Sequence, residues 1–220
     1  MAAMTKGVKQ TIVVVLLFIA LLLALLVNKV LSPRILSDSE LRANGAVVLK
    51  QPRRFTMQGL IDQDSQVFDH TRFKDRWSMV FFGYTYCPDI CPTTLATLKR
   101  LNGMIEGERF SEDLQMVLMS VDPARDKPDV LDAYLNYFDP GFIGVTGEFF
   151  DVHKTASGLN AAFTKRMIGS DGDYLVDHSG NIAIINPRGD YHGFIVPPLD
   201  AGKLRLLYRS IRADYEYRYQ

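Results

Sequence analysis

The strongest feature of the hydrophobic pattern is an uncharged apolar run near the N-terminus. Residues 11–27 read TIVVVLLFIALLLALLV, which as a helix would extend roughly 26 Å, close to the hydrocarbon thickness of a bilayer. Lys9 and Lys29 flank the run, and their side chains can reach the headgroups. A cleaved signal peptide is the alternative, but the run is longer than usual for one and no A-x-A site follows. The pattern therefore favours an uncleaved transmembrane anchor.

This run divides the chain into segments of different character. We interpret residues 1–10 as a cytoplasmic N-terminus, residues 28–54 as a juxtamembrane tether with scattered charge, and residues 55–220 as the globular domain. Basic residues on the two sides of the run are nearly balanced, so the charge asymmetry that orients membrane helices is weak. We expect the main domain outside the cytoplasm, partly because the cysteine chemistry described below suits that side.

Short apolar runs alternate with amphipathic segments in the globular part. A hairpin is expected from residues 55–60 and 66–68. The other predicted strands are residues 78–84, 114–121, 142–145, 182–186 and 191–195, and the predicted helices are residues 92–105, 128–138, 147–156 and 199–215. This order predicts an α/β domain of thioredoxin-like fold, with a mixed sheet flanked by helices.

Composition narrows the possible classes of protein. The 220 residues include 25 basic and 25 acidic side chains and are 47% hydrophobic, which is typical of a folded chain. The absence of a net positive charge argues against a nucleic-acid partner. Only two cysteines are present, so a disulfide-stabilised scaffold is excluded.

The two cysteines lie where a predicted buried strand leads into a helix, in the sequence Cys87-Pro-Asp-Ile-Cys91-Pro. Free backbone N–H groups and the helix dipole stabilise a thiolate at such a position. On a regular helix these Cβ atoms would be roughly 5–6 Å apart, too far for a disulfide. Oxidation therefore requires either that Cys87 precede the helix or that the loop shift. An inert buried pair, a disulfide exchanger and a metal site all remain open.

A metal site would need a third ligand, and the chain has four histidines. His70, His153 and His192 are explained by surface exposure or ordinary packing. His178 lies in a polar segment, SDGDYLVDHSG, before a predicted strand. In a thioredoxin-like sheet this segment lies against the cysteines, although a loop histidine taken alone is more often a surface residue.

Three separated motifs occur in one order: FFGYTYCPDICPTTL (81–95), MSVDPARDKP (119–128) and YLVDHSGNIAIINPRG (174–189). Together they resemble the Sco/SenC family of copper chaperones for cytochrome c oxidase assembly, and the likeness extends from residue 55 to 207. The resemblance implies a redox-active pair, Cys87 and Cys91, which with His178 binds copper as Cu(I) or Cu(II). It also implies a copper-receiving oxidase subunit as the partner, and it leaves the copper donor open.

The expected function is therefore that of a metallochaperone rather than a conventional enzyme, with reduction of the target's cysteines as a further role. We expect a single-pass protein of the inner (cytoplasmic) membrane with its main domain on the periplasmic or equivalent side. A thiol–disulfide oxidoreductase without a metal role is the main alternative. The three-residue spacer argues against it, as does the lack of a proline just before Ile182. A thiol peroxidase is a third possibility.

Overall fold

The computed structural model describes residues 6–31, 34–168 and 173–219. The chain divides into two compact units, and the boundary in the sequence falls between Ile35 and Leu36. The first unit contains helix α1 (Lys6–Leu31), which exceeds the predicted apolar run at both ends. Its Lys6–Val27 stretch is long and apolar enough to cross a bilayer by length and composition.

The second unit begins earlier than the sequence predicted. Helix α2 (Asp38–Ala43) and strand β1 (Ala46–Arg53) lie inside the predicted tether, and the Leu36 N–H donates to Ser210 Oγ at 2.9 Å. The tether prediction for residues 28–54 is therefore wrong from Leu36 onward. The cause is that β1 is an edge strand with only one buried position among eight, so its sequence lacks the regular alternation of a half-buried strand.

Most of the remaining elements follow the predicted order, but two of the strands were not predicted. The hairpin expected from residues 55–60 and 66–68 is reduced to a turn closed by a single bridge between Ile61 and Val67. The strands are β2 (Leu60–Asp62), β3 (Trp77–Gly83), β4 (Leu114–Ser120), β5 (Ile143–Gly147), β6 (Phe163–Met167), β7 (Tyr174–His178), β8 (Ile182–Ile185) and β9 (Tyr191–Ile195). The helices are α3 (Ile90–Ile105), α4 (Pro128–Phe138), α5 (Phe149–Gly158) and α6 (Ala201–Tyr219), and a 3-10 turn covers His70–Phe73.

Seven strands form one mixed sheet in the order β1-β9-β8-β3-β4-β5-β2. Strands β3, β4 and β5 are parallel, and the other pairs in this sheet are antiparallel. All seven positions of β3 are buried, as expected of a central strand covered on both faces. The α/β prediction of a mixed sheet flanked by helices is confirmed, and the carboxyl end of β3 leads directly to the cysteines.

Strands β6 and β7 were not predicted. They pair antiparallel with each other in a separate two-stranded sheet, from Phe163 opposite His178 to Met167 opposite Tyr174. The prediction of a polar loop around His178 is therefore wrong, because this residue ends strand β7. The sequence hid the hairpin since four of the five positions of β6 are exposed, leaving no apolar alternation to detect.

Candidate metal centre

The two sulfurs come from the junction between β3 and α3. Cys87 lies in the turn before the helix, where its N–H donates to the Tyr84 carbonyl oxygen at 3.3 Å, and Cys91 lies in the first helical turn. Both are buried free thiols. Because Cys87 precedes the helix, the distance between the two cysteines is not fixed by helix geometry. The pair therefore meets the condition for disulfide formation that the sequence analysis set, namely that Cys87 lie outside the helix.

The imidazole of His178 reaches the sulfurs from the end of β7. Its Nε2 lies 3.4 Å from Cys91 Sγ, and its Nδ1 lies 3.2 Å from the backbone carbonyl oxygen of Ser179. A carbonyl oxygen can only accept a hydrogen bond, so Nδ1 carries the proton. The lone pair of Nε2 is therefore directed toward the sulfurs, as metal-binding histidines require.

The Sγ atoms of Cys87 and Cys91 and a ring nitrogen of His178 all lie within 4.8 Å of one another. Within the described ranges 6–31, 34–168 and 173–219, no further histidine or carboxylate joins this group. A cavity of about 270 Å³ opens on it, lined partly by Cys87, Pro88 and His178. Two thiolates and an imidazole are a donor set for a soft or borderline metal ion, and one side of the site is left accessible.

The pKa values of the two thiols are shifted in opposite directions. A hydrogen bond from Cys91 lowers the pKa of Cys87 to about 4, and hydrogen bonds from the backbone amides of Asp89 and Cys91 act in the same direction. The same hydrogen bond and burial raise the pKa of Cys91. At neutral pH Cys87 is therefore the thiolate, which is the form that binds metals and attacks disulfides, while Cys91 keeps its proton.

Two residues that sequence reasoning did not single out shape the pocket. A Cβ on Gly83 would lie 2.9 Å from Cys91 Sγ, so only glycine lets the end of β3 approach the sulfur this closely. The aromatic ring of Tyr84 meets the His178 ring edge to face, with centroids 5.9 Å apart. In the sequence, the only indication of these two roles was the position of Gly83 and Tyr84 at the end of the apolar run SMVFFGY, directly before the cysteine motif.

A buried carboxyl group fixes the turn that carries Cys87. Asp126 is fully buried and accepts hydrogen bonds from Thr85 Oγ1 and Ser120 Oγ, both at 2.6 Å, and from the Thr85 N–H at 3.1 Å. Burial raises its pKa even though these hydrogen bonds oppose the shift. Asp126 lies within the second sequence motif, but the pattern alone assigned it no role.

Two acidic residues, Asp89 and Asp177, lie beside the ligands in the sequence and could orient the imidazole of His178. Asp177 pairs with Arg166 at 3.0 Å, and both side chains are about half exposed, whereas the Nδ1 of His178 contacts a backbone carbonyl. Asp89 precedes α3 without a side-chain hydrogen bond to the helix. Neither carboxylate therefore orients the imidazole.

The other histidines and the methionines lie away from the three-residue group. His70 packs edge to face on Phe55, His153 is exposed on α5, and His192 is 2% exposed within the domain. Among the thioethers that could bind copper, Met116 and Met119 are in the core and Met104 is 44% exposed. The structure thus brings Cys87, Cys91 and His178 together, and none of the other three histidines or these three methionines lines the pocket.

Comparisons with known proteins agree with this geometry. The SCO1/SenC family model matches residues 52–206. A Stutzerimonas stutzeri protein whose assigned name refers to copper binding is 42% identical over 153 residues, which cover 70% of this chain and 74% of that protein. An SCO2-like protein of Rickettsia felis is 37% identical over 60% of this chain and 64% of its own length, so the match spans just under two thirds of that relative.

A solved structure supports the same assignment. The crystal structure of yeast Sco1 with copper bound superposes with a TM-score of 0.66 at 28% identity, covering 77% of this chain and 91% of that one. The match of the family model covers more than half of the sequence and includes both cysteines and His178. The chain therefore belongs to the SCO1/SenC family.

Proposed function

We propose that this protein is a membrane-anchored copper metallochaperone that binds the ion through Cys87, Cys91 and His178. The observation that carries the proposal is the convergence of two sulfurs and one imidazole nitrogen within 4.8 Å. Thiolate and imidazole donors suit Cu(I) and tolerate Cu(II). Solved structures of Arabidopsis thaliana ScoI and yeast Sco1 contain copper, which supports copper as the metal here.

The open side of the site supports transfer rather than storage. A structural zinc site normally closes with four protein ligands, whereas the group here supplies three among the described residues. The cavity beside Cys87 and His178 gives an incoming ligand access to the ion. Copper is thus cargo, and it can pass to a partner's donor atoms as the partner's bonds replace those of this chain.

The proposed recipient is the subunit that holds the binuclear copper site of cytochrome c oxidase. This part of the proposal rests on the family resemblance. The apolar stretch of α1 supports an anchor in the inner membrane, with residues 1–10 in the cytoplasm and the main domain on the periplasmic or equivalent side. A single span would keep the copper-binding domain close to a membrane-bound recipient.

The acidity difference between the cysteines favours a second role, reduction of the recipient's cysteines. The Cys87 thiolate would attack a partner disulfide, forming a mixed disulfide and releasing one partner thiolate. Cys91 would then lose its proton and displace the second partner sulfur. The partner gains two electrons and becomes a dithiol, while Cys87 and Cys91 become a disulfide. Copper binding and this reaction use the same sulfurs, so they exclude each other at any one moment.

Equilibrium competition for Cu(I) tests the copper-binding proposal. We expect the His178→Ala variant of the full-length protein to bind copper more weakly than the wild type while keeping its circular dichroism spectrum. His153→Ala is the matched control, because His153 is exposed on α5 and its loss is expected to leave the affinity unchanged. Equal affinity of the wild type and His178→Ala would remove His178 from the site.

A further inference from the structure

The hairpin that carries His178 has no backbone ladder to the main sheet. Among the described residues, β6 and β7 pair only with each other. The distance between the imidazole and the cysteines is therefore not set by sheet register. It depends on the short connection from His178 to β8 and on side-chain contacts of the hairpin. Phe163 of β6 packs on α5, and β7 contacts the loops at the carboxyl ends of β3 and β4.

Arg125, in the loop between β4 and α4, makes the central contact with the hairpin. Its guanidinium carbon lies 3.8 Å from the centroid of the Tyr174 ring, and Nη1 donates to the Tyr174 carbonyl oxygen at 3.3 Å. Its Nε is paired with the Asp122 carboxylate, which also accepts a hydrogen bond from the Tyr174 hydroxyl at 2.8 Å. Arg125 and Asp122 thus hold the first residue of β7 through its ring, its hydroxyl and its backbone.

The same guanidinium contacts the segment that leads to Cys87. Its carbon lies 4.8 Å from the Tyr86 ring centroid and 5.7 Å from that of Tyr84, within the range of cation–π attraction. Arg125 is half-buried, with 25% of its side chain exposed, so these contacts are only partly screened by water. One side chain therefore joins the His178 hairpin to the cysteine turn.

Tyr84, which Arg125 contacts, also touches both the backbone of β7 and the imidazole of His178. Its hydroxyl oxygen accepts a hydrogen bond from the Val176 N–H at 3.2 Å, in the middle of β7. Its ring meets the His178 ring at an interplanar angle of 86°. The hairpin is thus held at Tyr174 by Arg125 and at Val176 by Tyr84, and His178 is the next residue of β7 on the same face as both.

We propose that Arg125 is a positioning residue, which holds the β6–β7 hairpin against the cysteine turn and so sets the distance between His178 and Cys91. The proposal rests on the proposed function in that copper affinity is its main readout. A lysine could keep the charge but not the planar fork, which here stacks on Tyr174 and donates hydrogen bonds at the same time. We expect the effect of Arg125 on copper affinity to depend on His178, which is the ligand that the hairpin carries.

A double-mutant cycle on the full-length protein in detergent tests this coupling. Cu(I) affinity is measured for the wild type, Arg125→Ala, His178→Ala and the double variant. We expect Arg125→Ala to lose about tenfold or more in affinity, the usual effect of removing a residue that orients a metal ligand. In the His178→Ala background the same substitution is expected to change nothing. Arg125→Lys is expected to fall between the wild type and Arg125→Ala.

Arg166→Ala is the matched control, because Arg166 is on the same hairpin but forms an exposed ion pair with Asp177. It is expected to bind copper like the wild type. The Cu(II) form gives an independent signature, since the electron paramagnetic resonance signal of Arg125→Ala should lose the nitrogen coupling of a bound imidazole. If Arg125→Ala does not fold, as judged by circular dichroism, the cycle is run with Arg125→Lys.

Two results would overturn the positioning role: an unchanged affinity in the Arg125 variants, or an equal loss with and without His178. The second result would mean that Arg125 acts on the thiols or on the fold as a whole. If His178→Ala itself leaves the affinity unchanged, the proposed function fails separately. The positioning role is then decided by nuclear Overhauser contacts between His178 and Tyr84 in the metal-free protein, which Arg125→Ala should remove.

Discussion

Cys91 Sγ and His178 Nε2 lie 3.4 Å apart although 87 positions separate them in the chain. One atom comes from the start of α3 and the other from the end of β7, so the pair exists only when the sheet and the separate hairpin are both in place. A metal held by all three ligands would therefore bind the folded chain more tightly than the unfolded one, which retains only the nearby cysteine pair. Metal affinity and folding stability are therefore coupled in this protein.

The first prediction is that Cu(I) stabilises the protein against unfolding. At free copper about 100-fold above the dissociation constant, the free energy of unfolding should rise by up to about 2.7 kcal/mol, less whatever copper binding to the cysteines of the unfolded chain offsets. Thermal unfolding with buffered Cu(I) measures this rise. The double variant Cys87→Ser, Cys91→Ser should gain far less, and an equal gain in that variant would mean that copper is bound elsewhere.

The second prediction concerns the acidity of Cys87 in the reduced, metal-free protein. Since its pKa is lowered to about 4, thiolate absorbance at 240 nm should persist as the pH falls from 8 to about 5 and disappear near 4. Cys91→Ala removes the hydrogen bond that contributes most to this shift, so the pKa of Cys87 should rise toward its ordinary value. A wild-type titration near the ordinary thiol pKa would contradict this account of the pair.

The third prediction concerns the close approach of β3 to Cys91. An added Cβ at Gly83 would lie 2.8 Å from Phe81 Cε1 and 2.9 Å from Cys91 Sγ, so Gly83→Ala should cost about 1–3 kcal/mol of stability through overpacking. It should also weaken copper binding, because the sulfur must move. Chemical unfolding and Cu(I) competition measure the two effects.

Gly103→Ala provides the matched control for that substitution. Gly103 is exposed in α3, and nothing lies within 4 Å of the position of an added Cβ. Alanine should therefore stabilise the helix by about 0.5–1 kcal/mol without changing copper affinity. If Gly83→Ala behaved like Gly103→Ala, the packing at the end of β3 would not limit the position of Cys91.

The fourth prediction is a loss of stability in mild acid that depends on His192. This residue is 2% exposed, and burial, together with the charges of Arg218 and Arg188, lowers its pKa from 6.5 to about 4. As the pH falls from 6.5 to 4 the unfolded chain takes up a proton that the folded chain does not, so folding stability decreases. The lowered pKa of His192 costs no stability above pH 6.5, where the residue is neutral in both states. By pH 4 and below it reduces the free energy of unfolding by about 3 kcal/mol at most.

Comparing the wild type with His192→Phe isolates this effect. The phenyl ring can occupy the space between Trp77 and Tyr215, which pack on the imidazole with centroid distances of 5.4 and 5.5 Å. Denaturant unfolding from pH 7 to 4 should show a smaller loss of stability in His192→Phe. Identical losses would show that His192 does not contribute to acid sensitivity.

The central strands of the main sheet could be predicted from the sequence because they are short, continuous apolar runs. Strand β3 is buried at every position and α3 has a regular apolar stripe, so burial and periodicity coincide there. Strands β1 and β6 lack such a pattern because β1 has a single buried position and β6 has none. Their places are fixed by tertiary pairing with β9 and β7, which no local window reveals.

The candidate site was only partly predictable for the same reason. The setting of Cys87 and Cys91 between a buried strand and a helix could be inferred from local pattern. The approach of His178 could not, because it depends on a hairpin held by contacts such as that between Arg125 and Tyr174. The choice of His178 among four histidines came from the resemblance of the motifs, and Gly83 was missed because its role is to leave space.

The most direct test of the account is copper K-edge X-ray absorption on the full-length protein in detergent, first reduced with one equivalent of Cu(I) and then after oxidation of the thiols. We expect two sulfur ligands and one imidazole nitrogen in the reduced protein, and loss of the bound copper once Cys87 and Cys91 are oxidised. A reduced-state spectrum with no imidazole contribution, or with fewer than two sulfurs, would contradict binding of the ion by Cys87, Cys91 and His178.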